Sequence, residues 1–210
     1  MDRARYGSVM TMATRSSAVF ETVIGWCGIA WGANGIVGVQ LPEATEAQTR
    51  TRMARRFHAT REEAPPADVR RAIDGIVAQL RGEATDFSTV ELDMDGVPAF
   101  HKRIYDVARA IAPGVTMTYG DIAMRLEAPR TAQTVGRALA RNPFPIIVPC
   151  HRVLAAGGKA GGFSAPGGVG TKLRILAIEG LRMPTSEQSR KTGRPASDQL
   201  ELGALGLPSP

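Results

Sequence analysis

The hydrophobic positions of the first hundred residues predict a small α+β domain. Val19 to Leu41 is rich in β-branched and aromatic residues, and Asn34-Gly35 separates two of its apolar runs. Asn-Gly between apolar runs is typical of a hairpin turn, so we predict two antiparallel strands. Apolar residues recur at helical spacing from Ala44 to Phe57 and from Ala67 to Leu80, whereas Ser88 to Asp93 alternates like a strand.

The next eighty residues carry a helical pattern instead. Apolar residues from Phe100 to Ile111 recur at helical spacing, and Pro113 ends that helix. Thr118 can cap a short helix through Leu126, and a tight turn leads into a second helix from Thr131 to Arg141. We therefore predict a second domain that is mainly α-helical.

The last two of these helices have the form of a helix-turn-helix. One face of the second helix is apolar, and the other carries Gln133, Arg137 and Arg141 at i, i+4 and i+8. A basic stripe on the second helix is typical of DNA binding. An αα-hairpin inside a core fits the same pattern, so the pattern alone leaves both interpretations open.

These patterns divide the chain into four parts. Residues 1–17 are an N-terminal extension, residues 18–96 the α+β domain and residues 97–180 the helical domain. Half of the residues from Gly157 to Gly168 are glycine, and Lys172 to Gly180 resumes helical spacing. Residues 181–210 are rich in Ser, Pro and Gly, so we predict a disordered tail.

The balance of acidic and basic residues also changes near residue 96, between the two predicted domains. The formal net charge is +6, but residues 16–96 contain eight basic against twelve acidic residues, and residues 97–180 contain eleven against four. The second half is therefore the better candidate for contact with a polyanion, although a solvated basic face has the same composition.

The cysteine content and the hydropathy bound the class of protein. Cys27 and Cys150 are too few and too far apart in sequence for a disulfide framework or a cysteine zinc cluster. No run of about eighteen apolar residues and no signal-type apolar core is present. We expect a cytoplasmic protein with neither a metal site nor a membrane segment.

The candidate chemistry lies where Cys150 is followed directly by His151, between an apolar run and the glycine-rich loop. Cysteine reacts as the thiolate, and an adjacent base is the ordinary way to form one near neutral pH. The dipeptide by itself leaves open an accidental pair in which the thiol is a small core hydrophobe.

Longer stretches around this pair match one pattern. Twelve residues from Asn142 to Val153 fit an active-site signature, and residues 118–123 fit the start of its helix-turn-helix. Gly161 to Ser164, Lys172 and Glu179 fit its binding loop and closing helix. Together they resemble the O6-alkylguanine-DNA alkyltransferase family. The resemblance implies an RNase H-like first domain and a winged helix-turn-helix in the second.

The function implied by this resemblance is DNA repair by direct reversal. The alkyl group of O6-alkylguanine moves irreversibly to Cys150 in a single turnover, and O4-alkylthymine is left open as a second substrate. By resemblance His151 is the base, acting through a water, and Glu179 orients it. Asn142 holds the turn that presents the thiol, and Tyr119 donates a proton to guanine.

The resemblance also implies the substrate and DNA contacts. A pocket for the flipped base is formed by Pro145, Val153, Phe163 and Ser164, with the Val153 amide and the Ser164 hydroxyl directed at O6. Small residues on the second helix approach the minor groove of double-stranded DNA, and the DNA-binding set is Thr118, Tyr119, Arg130, Ala132, Gln133, Gly136, Arg137 and Arg141. The implied protein is a monomer without metal or organic cofactor.

Two positions depart from the family pattern. Gln133 stands where an arginine usually fills the gap left by the flipped base, and Phe163 where a tyrosine is common. Gln133 can hydrogen-bond the orphaned cytosine but has no charge. We therefore expect weaker flipping, which Arg130 could partly restore.

Two other functions compete with alkyl transfer. An alkyltransferase-like protein would flip and hold the lesion without accepting the alkyl group, but such proteins lack the cysteine. A cysteine hydrolase would use the same arrangement of a cysteine nucleophile, a histidine base and an orienting glutamate. Hydrolysis explains neither the helix-turn-helix nor the basic second half of the chain.

Overall fold

The computed structural model describes residues 15–58 and 61–181, and it begins with a three-stranded antiparallel meander. Strand β1 (Ser16–Thr22) pairs with β2 (Gly25–Gly32), which pairs in turn with β3 (Gly35–Gln40). The predicted hairpin at Asn34-Gly35 is confirmed, with Gly35 at a φ of +109°. Three strands replace the two predicted, because the turn between β1 and β2, at Val23-Ile24, is itself apolar and carries no turn signal.

Helix α1 (Glu46–Phe57) packs across this sheet, close to its predicted position. Glycines make the close approach possible, since a Cβ at Gly38 would lie 2.1 Å from the Phe57 ring and one at Gly28 2.6 Å from the Met53 side chain. The short strand β4 (Arg61–Glu62) pairs in parallel with β1, which gives the order β3-β2-β1-β4. The sheet is therefore mixed, and the prediction of an antiparallel sheet was wrong at this edge.

Helix α2 (Ala67–Leu80) has the predicted bounds, but the strand predicted from Ser88 to Asp93 does not form. Leu92 makes only an isolated bridge with Ile36 on the outer edge of β3. Further along that edge, the Val39 amide donates to the Pro143 carbonyl at 2.8 Å. The bridge is parallel, so the predicted residues before Leu92 would have to pair with residues before Ile36, and β3 begins only at Gly35. The ladder therefore stops after one bridge.

The second half has the predicted helical order. Helix α3 (Ala99–Arg109) is followed by β5 (Met117–Thr118), α4 (Tyr119–Arg125) and α5 (Ala132–Ala140). Thr118 and Asp121 form a reciprocal capping box at the start of α4. Strand β6 (Val153–Leu154) pairs in parallel with β5, so a two-stranded wing accompanies the helix-turn-helix. Helix α6 (Gly168–Ile178) begins before the predicted Lys172, because Gly167 starts it from a left-handed conformation.

The two halves share one hydrophobic core. Cys27 and Ile29 of the sheet, Ile104 of α3 and Val148 beside the Cys-His pair belong to the same buried cluster. Burial raises the pKa of the Cys27 thiol to about 12, as expected for a core position. The segment that carries Cys150 therefore lies where the sheet and the helical half meet.

Two predictions fall outside the described residues, namely most of the extension 1–17 and nearly all of the disordered tail 181–210. Strand β1 begins at Ser16, so the last two residues assigned to the extension are part of the sheet. Across the described ranges, no helix is long and apolar enough to cross a membrane.

Candidate active site

The turn before Cys150 is held by the side chain of Asn142. Its amide nitrogen donates to the Val148 carbonyl at 2.8 Å, and its amide oxygen accepts from the Phe144 amide at 2.9 Å. Inside this turn, Ile146 is buried with a φ of +75°, a left-handed conformation that β-branched residues rarely adopt. Strained backbone of this kind persists only where the surroundings fix it, and here it precedes the candidate nucleophile.

Behind Cys150, a single turn of 3-10 helix (Cys150–Arg152) places His151 against the end of α6. His151 Nε2 lies 2.9 Å from Glu179 Oε1, and both side chains are fully buried. Because an ionised carboxylate only accepts hydrogen bonds, Nε2 carries the proton and Nδ1 is left as the acceptor. Nδ1 is itself buried and has no hydrogen-bond partner among the described residues.

Glu179 has two further partners. Arg152 donates to it through Nε, at 3.0 Å from Oε2, and through Nη2, at 2.7 Å from Oε1. Gln79 of α2 donates to Oε1 at 3.0 Å. Burial alone would raise the pKa of Glu179, but the hydrogen bonds and charges of His151 and Arg152 lower it to about 2. Glu179 is therefore an anion at neutral pH.

The thiol of Cys150 is in a mixed electrostatic environment. Burial raises its pKa, while a hydrogen bond from Asn142, the charge of Lys172 and the backbone amides of Cys150 and His151 lower it. Lys172 is fully buried, and its Nζ donates to the Val153 carbonyl at 2.6 Å. Burial lowers the pKa of Lys172 to about 8, against the opposing effect of Cys150. Burial also lowers the pKa of His151, against the opposing effect of Glu179.

In front of Cys150 lies an open cleft of about 880 Å³, here called the main cleft. Burial and then the charge of Cys150 raise the pKa of Tyr119 at its edge, so this phenol keeps its proton. The main cleft holds nine of the predicted site residues: Thr118, Tyr119, Ala132, Gln133, Gly136, Arg137, Cys150, Phe163 and Ser164. The helix-turn-helix, the glycine-rich loop and the thiol thus meet in one place.

The other predicted site residues lie elsewhere. His151, Glu179 and Asn142 stand behind the thiol, Pro145 lines a neighbouring cleft, and Arg130 and Arg141 are exposed outside the lining of the main cleft.

The two donors expected to face O6 are both engaged within the protein. The Val153 amide donates to the Cys150 carbonyl within the 3-10 turn. The Ser164 hydroxyl donates to the Ala140 carbonyl at 2.7 Å. This second hydrogen bond ties the glycine-rich loop to the end of α5.

Sequence reasoning assigned no role to Arg152, Lys172 or Gln79. Arg152 lies inside the matched signature and Lys172 matched the closing helix, so both carried a signal that could have been used. Gln79 lies a hundred residues before Glu179 on a helix of the other half, and no local pattern distinguishes it.

The fold and the site define a class of protein in which a winged helix-turn-helix carries a cysteine at the base of its cleft, backed by a buried His-Glu pair. In the described part of the chain, no group of three or more His, Cys, Asp or Glu could hold a metal ion. The family model for the DNA binding domain of 6-O-methylguanine DNA methyltransferase matches residues 99–181. The chain belongs to the 6-O-methylguanine DNA methyltransferase family.

Relatives support this membership along most of the chain. The methylated-DNA-protein-cysteine methyltransferase of Methanothermobacter thermautotrophicus is 34% identical over 157 residues, which cover 74% of this chain and 80% of the relative. The protein of the same name from Mycobacterium tuberculosis is 42% identical over 113 residues, which cover 54% of this chain and 66% of the relative.

Solved structures give the same result for the fold. The M. tuberculosis protein OGT in complex with DNA aligns with a TM-score of 0.63 at 34% identity, covering 78% of this chain and 92% of that one. The O6-methylguanine-DNA methyltransferase of Pyrococcus kodakaraensis aligns with a TM-score of 0.61 at 27% identity, covering 79% and 99%.

Proposed function

We propose that this protein is a methylated-DNA-protein-cysteine methyltransferase, which repairs O6-alkylguanine in DNA by moving the alkyl group to Cys150. The observation that carries the proposal is the position of this thiol, at the base of a cleft lined by a helix-turn-helix and in front of a buried His151–Glu179 pair. Family membership and the likeness to a relative solved with DNA support it. The product is a thioether, which water does not hydrolyse, so each molecule acts once.

The proton of the thiol moves to His151. Glu179 fixes the tautomer in which Nε2 carries the proton, so Nδ1 is free to accept another. Nδ1 is buried without a protein partner in the described ranges, and a bridging water between it and Cys150 would satisfy both groups. Glu179 then stabilises the imidazolium, and the charge of Lys172 stabilises the thiolate.

The displacement itself forms the bond from sulfur to carbon and breaks the bond from carbon to guanine O6. The electron pair of the broken bond stays on the guanine, which takes a proton. Tyr119, whose pKa is raised, keeps a proton to donate at the edge of the cleft. The Ser164 hydroxyl can serve O6 if it turns away from Ala140, and the Val153 amide if it shares its hydrogen with the Cys150 carbonyl.

DNA binds along α5. Ala132 and Gly136 line the cleft, and because one has only a methyl group and the other no side chain, they permit close approach to the minor groove. Gln133 and Arg137 stand on the same wall, while Arg130 and Arg141 flank it and supply phosphate contacts. Because Cys150 is only 9% exposed at the base of the cleft, the damaged base must leave the stack to reach it. One chain supplies this whole site, so we propose that the protein acts as a monomer.

The direct test is intact mass after incubation with duplex DNA that contains O6-methylguanine. We expect one added methylene for each protein molecule, located on Cys150 by peptide mapping, with guanine restored in the DNA. Tight binding without a mass change would instead make the protein an alkyltransferase-like damage binder. A thiol that hydrolyses an ester or amide without retaining a group would make it a cysteine hydrolase.

Gln133 is the residue proposed to fill the gap that the flipped base leaves in the duplex, here called the finger residue. The prediction concerns base flipping. In Gln133→Arg, a longer cationic side chain fills the space of the flipped base, so repair of duplex DNA should accelerate about tenfold. Alkylation by free O6-benzylguanine needs no flipping and should change little, provided that this analogue enters the pocket. Both second-order rates are measured for the wild type and the variant.

Arg130→Ala is the comparison variant for this test, because Arg130 lies outside the lining of the main cleft. Equal changes of the duplex and free-base rates in Gln133→Arg would remove Gln133 from the flipping step. A duplex rate that falls only in Arg130→Ala would assign the finger to Arg130.

A further inference from the structure

A second cleft, of about 240 Å³, also reaches Cys150. Here it is called the arginine cleft, because Arg52 and Arg56 of α1 stand at its outer end with Gln40 of β3. It shares part of its lining with the main cleft, namely Leu139, Ala140, Cys150, Phe163 and Ser164. The thiol therefore lies at the junction of two spaces, one facing the helix-turn-helix and one facing the first half of the chain.

Arg56 is held in place at the mouth of the arginine cleft. Its Nη1 donates to Gln40 Oε1 at 3.2 Å, and its Nη2 donates to the Asn142 carbonyl at 3.2 Å. Gln40 is 1% exposed, and its own amide nitrogen is fixed on the Leu41 carbonyl at 2.8 Å. These contacts use two of the five N–H donors of a guanidinium group.

The lining of the arginine cleft is positive, although one of its arginines is paired, since Arg52 Nε lies 3.8 Å from Glu43 Oε1 outside the lining. Among the described residues that line it there are two arginines and no aspartate or glutamate. Desolvation and then the charge of Arg52 lower the pKa of Arg56, whereas the charge of Cys150 raises it. Arg56 is thus electrostatically coupled to the sulfur that receives the alkyl group.

The geometry of displacement decides which part of a substrate enters each cleft. In an in-line attack the guanine O6 leaves opposite the sulfur, so the base fills the main cleft. Any substituent on the reacting carbon projects sideways from the line that joins sulfur, carbon and oxygen. Cys150 lines both clefts, so the arginine cleft is a second space open to such a substituent, with Pro145, Phe163 and Arg56 in its lining.

We propose that the arginine cleft receives the tail of the alkyl group and selects tails that end in an anion, such as the carboxylate of O6-carboxymethylguanine, through Arg56. The inference rests on the proposed function and names a substrate class for it. Charge-assisted hydrogen bonds between guanidinium and carboxylate are about twice as strong as neutral ones. A methyl group has no tail to reach Arg56, so repair of O6-methylguanine does not use the contact.

The chemistry of transfer is unchanged for such a substrate. Cys150 sulfur forms a bond to the methylene carbon of the carboxymethyl group, and the bond from this carbon to O6 breaks. The guanine keeps the electron pair and takes a proton, and the product is S-carboxymethylcysteine with its carboxylate beside Arg56. No oxidant, reductant or further reactant enters.

The test compares duplexes that contain O6-carboxymethylguanine, its neutral isostere O6-carbamoylmethylguanine, or O6-methylguanine. Transfer rates are measured by intact mass for the wild type, Arg56→Gln and the control Arg55→Gln. Arg55 is an exposed neighbour on α1 that does not line the cleft. In Arg56→Gln we expect the ratio of carboxymethyl to carbamoylmethyl rates to fall about tenfold, since one charge-assisted contact is lost. In Arg55→Gln the ratio should stay at the wild-type value.

Each outcome separates selection of the anion from other roles of Arg56. An equal loss on all three substrates in Arg56→Gln would overturn the inference and leave Arg56 as a residue that positions Asn142. An unchanged ratio, or a ratio that falls equally in Arg55→Gln, would also overturn it. If the wild type accepts no methyl group from O6-methylguanine DNA, the proposed function itself is wrong. That result differs from a failure of the inference, in which the wild type accepts the methyl group and only the expected change of the rate ratio is missing.

Discussion

Cys150→Ser will lose alkyl transfer by roughly 10³-fold or more, because a hydroxyl is far harder to ionise than a thiol and His151 cannot make it a nucleophile near neutral pH. The substitution leaves the other residues of the site in place. The replaced atom lies at the base of the main cleft, whereas Gln133 and Arg137 line its wall on α5. Binding to duplex DNA with O6-methylguanine should therefore stay within a few-fold of the wild-type affinity.

The two readouts for Cys150→Ser are intact mass after incubation with the damaged duplex and fluorescence anisotropy with the same duplex. The matched control is Cys27→Ala, which removes the other thiol. Cys27 is buried in the core with its pKa raised to about 12, so it does not supply a thiolate and its loss should leave methyl uptake intact. A methyl group found on any residue of Cys150→Ser would contradict the assignment of the nucleophile.

Local signals explain why much of the fold was predictable from the sequence. Helix α2 has the predicted bounds because its apolar spacing is regular, and α4 starts after Thr118 because a capping box is encoded within four residues. The nucleophile and its base are adjacent in one signature, so they needed no knowledge of the tertiary structure. Only the resemblance connected them to Glu179.

The remaining features depend on contacts between distant segments. Gln79 meets Glu179 across a hundred residues, and Arg56 meets Asn142 across eighty-six. Both contacts join the first half of the chain to the active site, and neither has a period or motif in the sequence. The strand expected from Ser88 to Asp93 failed for the same kind of reason, since the distant strand that it meets in parallel at Ile36 begins only at Gly35 and offers no partner to the residues before Leu92.

The largest expected effect after Cys150 is that of Glu179→Gln, which keeps the shape of the side chain and removes its charge. The imidazolium of His151 loses the anion that stabilises it, so the proton of Cys150 becomes harder to remove and the apparent thiol pKa rises. At neutral pH alkylation should slow by about 10–100-fold. Because thiolate forms as pH rises, the variant should regain rate at higher pH. Its profile of alkylation rate against pH should therefore shift to higher pH.

Measuring the alkylation rate against pH separates the charge of Glu179 from a loss of structure. Gln79→Leu is the matched variant, since it removes a hydrogen bond to the same Oε1 atom without changing the charge, and its profile should move much less. Stability gives an independent readout. The folded pKa of Glu179 is about 2 against an ordinary 4.5, so its contribution is complete above about 4.5 and is lost as pH falls toward 2. The difference in free energy of unfolding between wild type and Glu179→Gln should therefore shrink over that range. An unshifted pH profile in Glu179→Gln, or an equal shift in Gln79→Leu, would show that the charge of Glu179 does not activate the thiol.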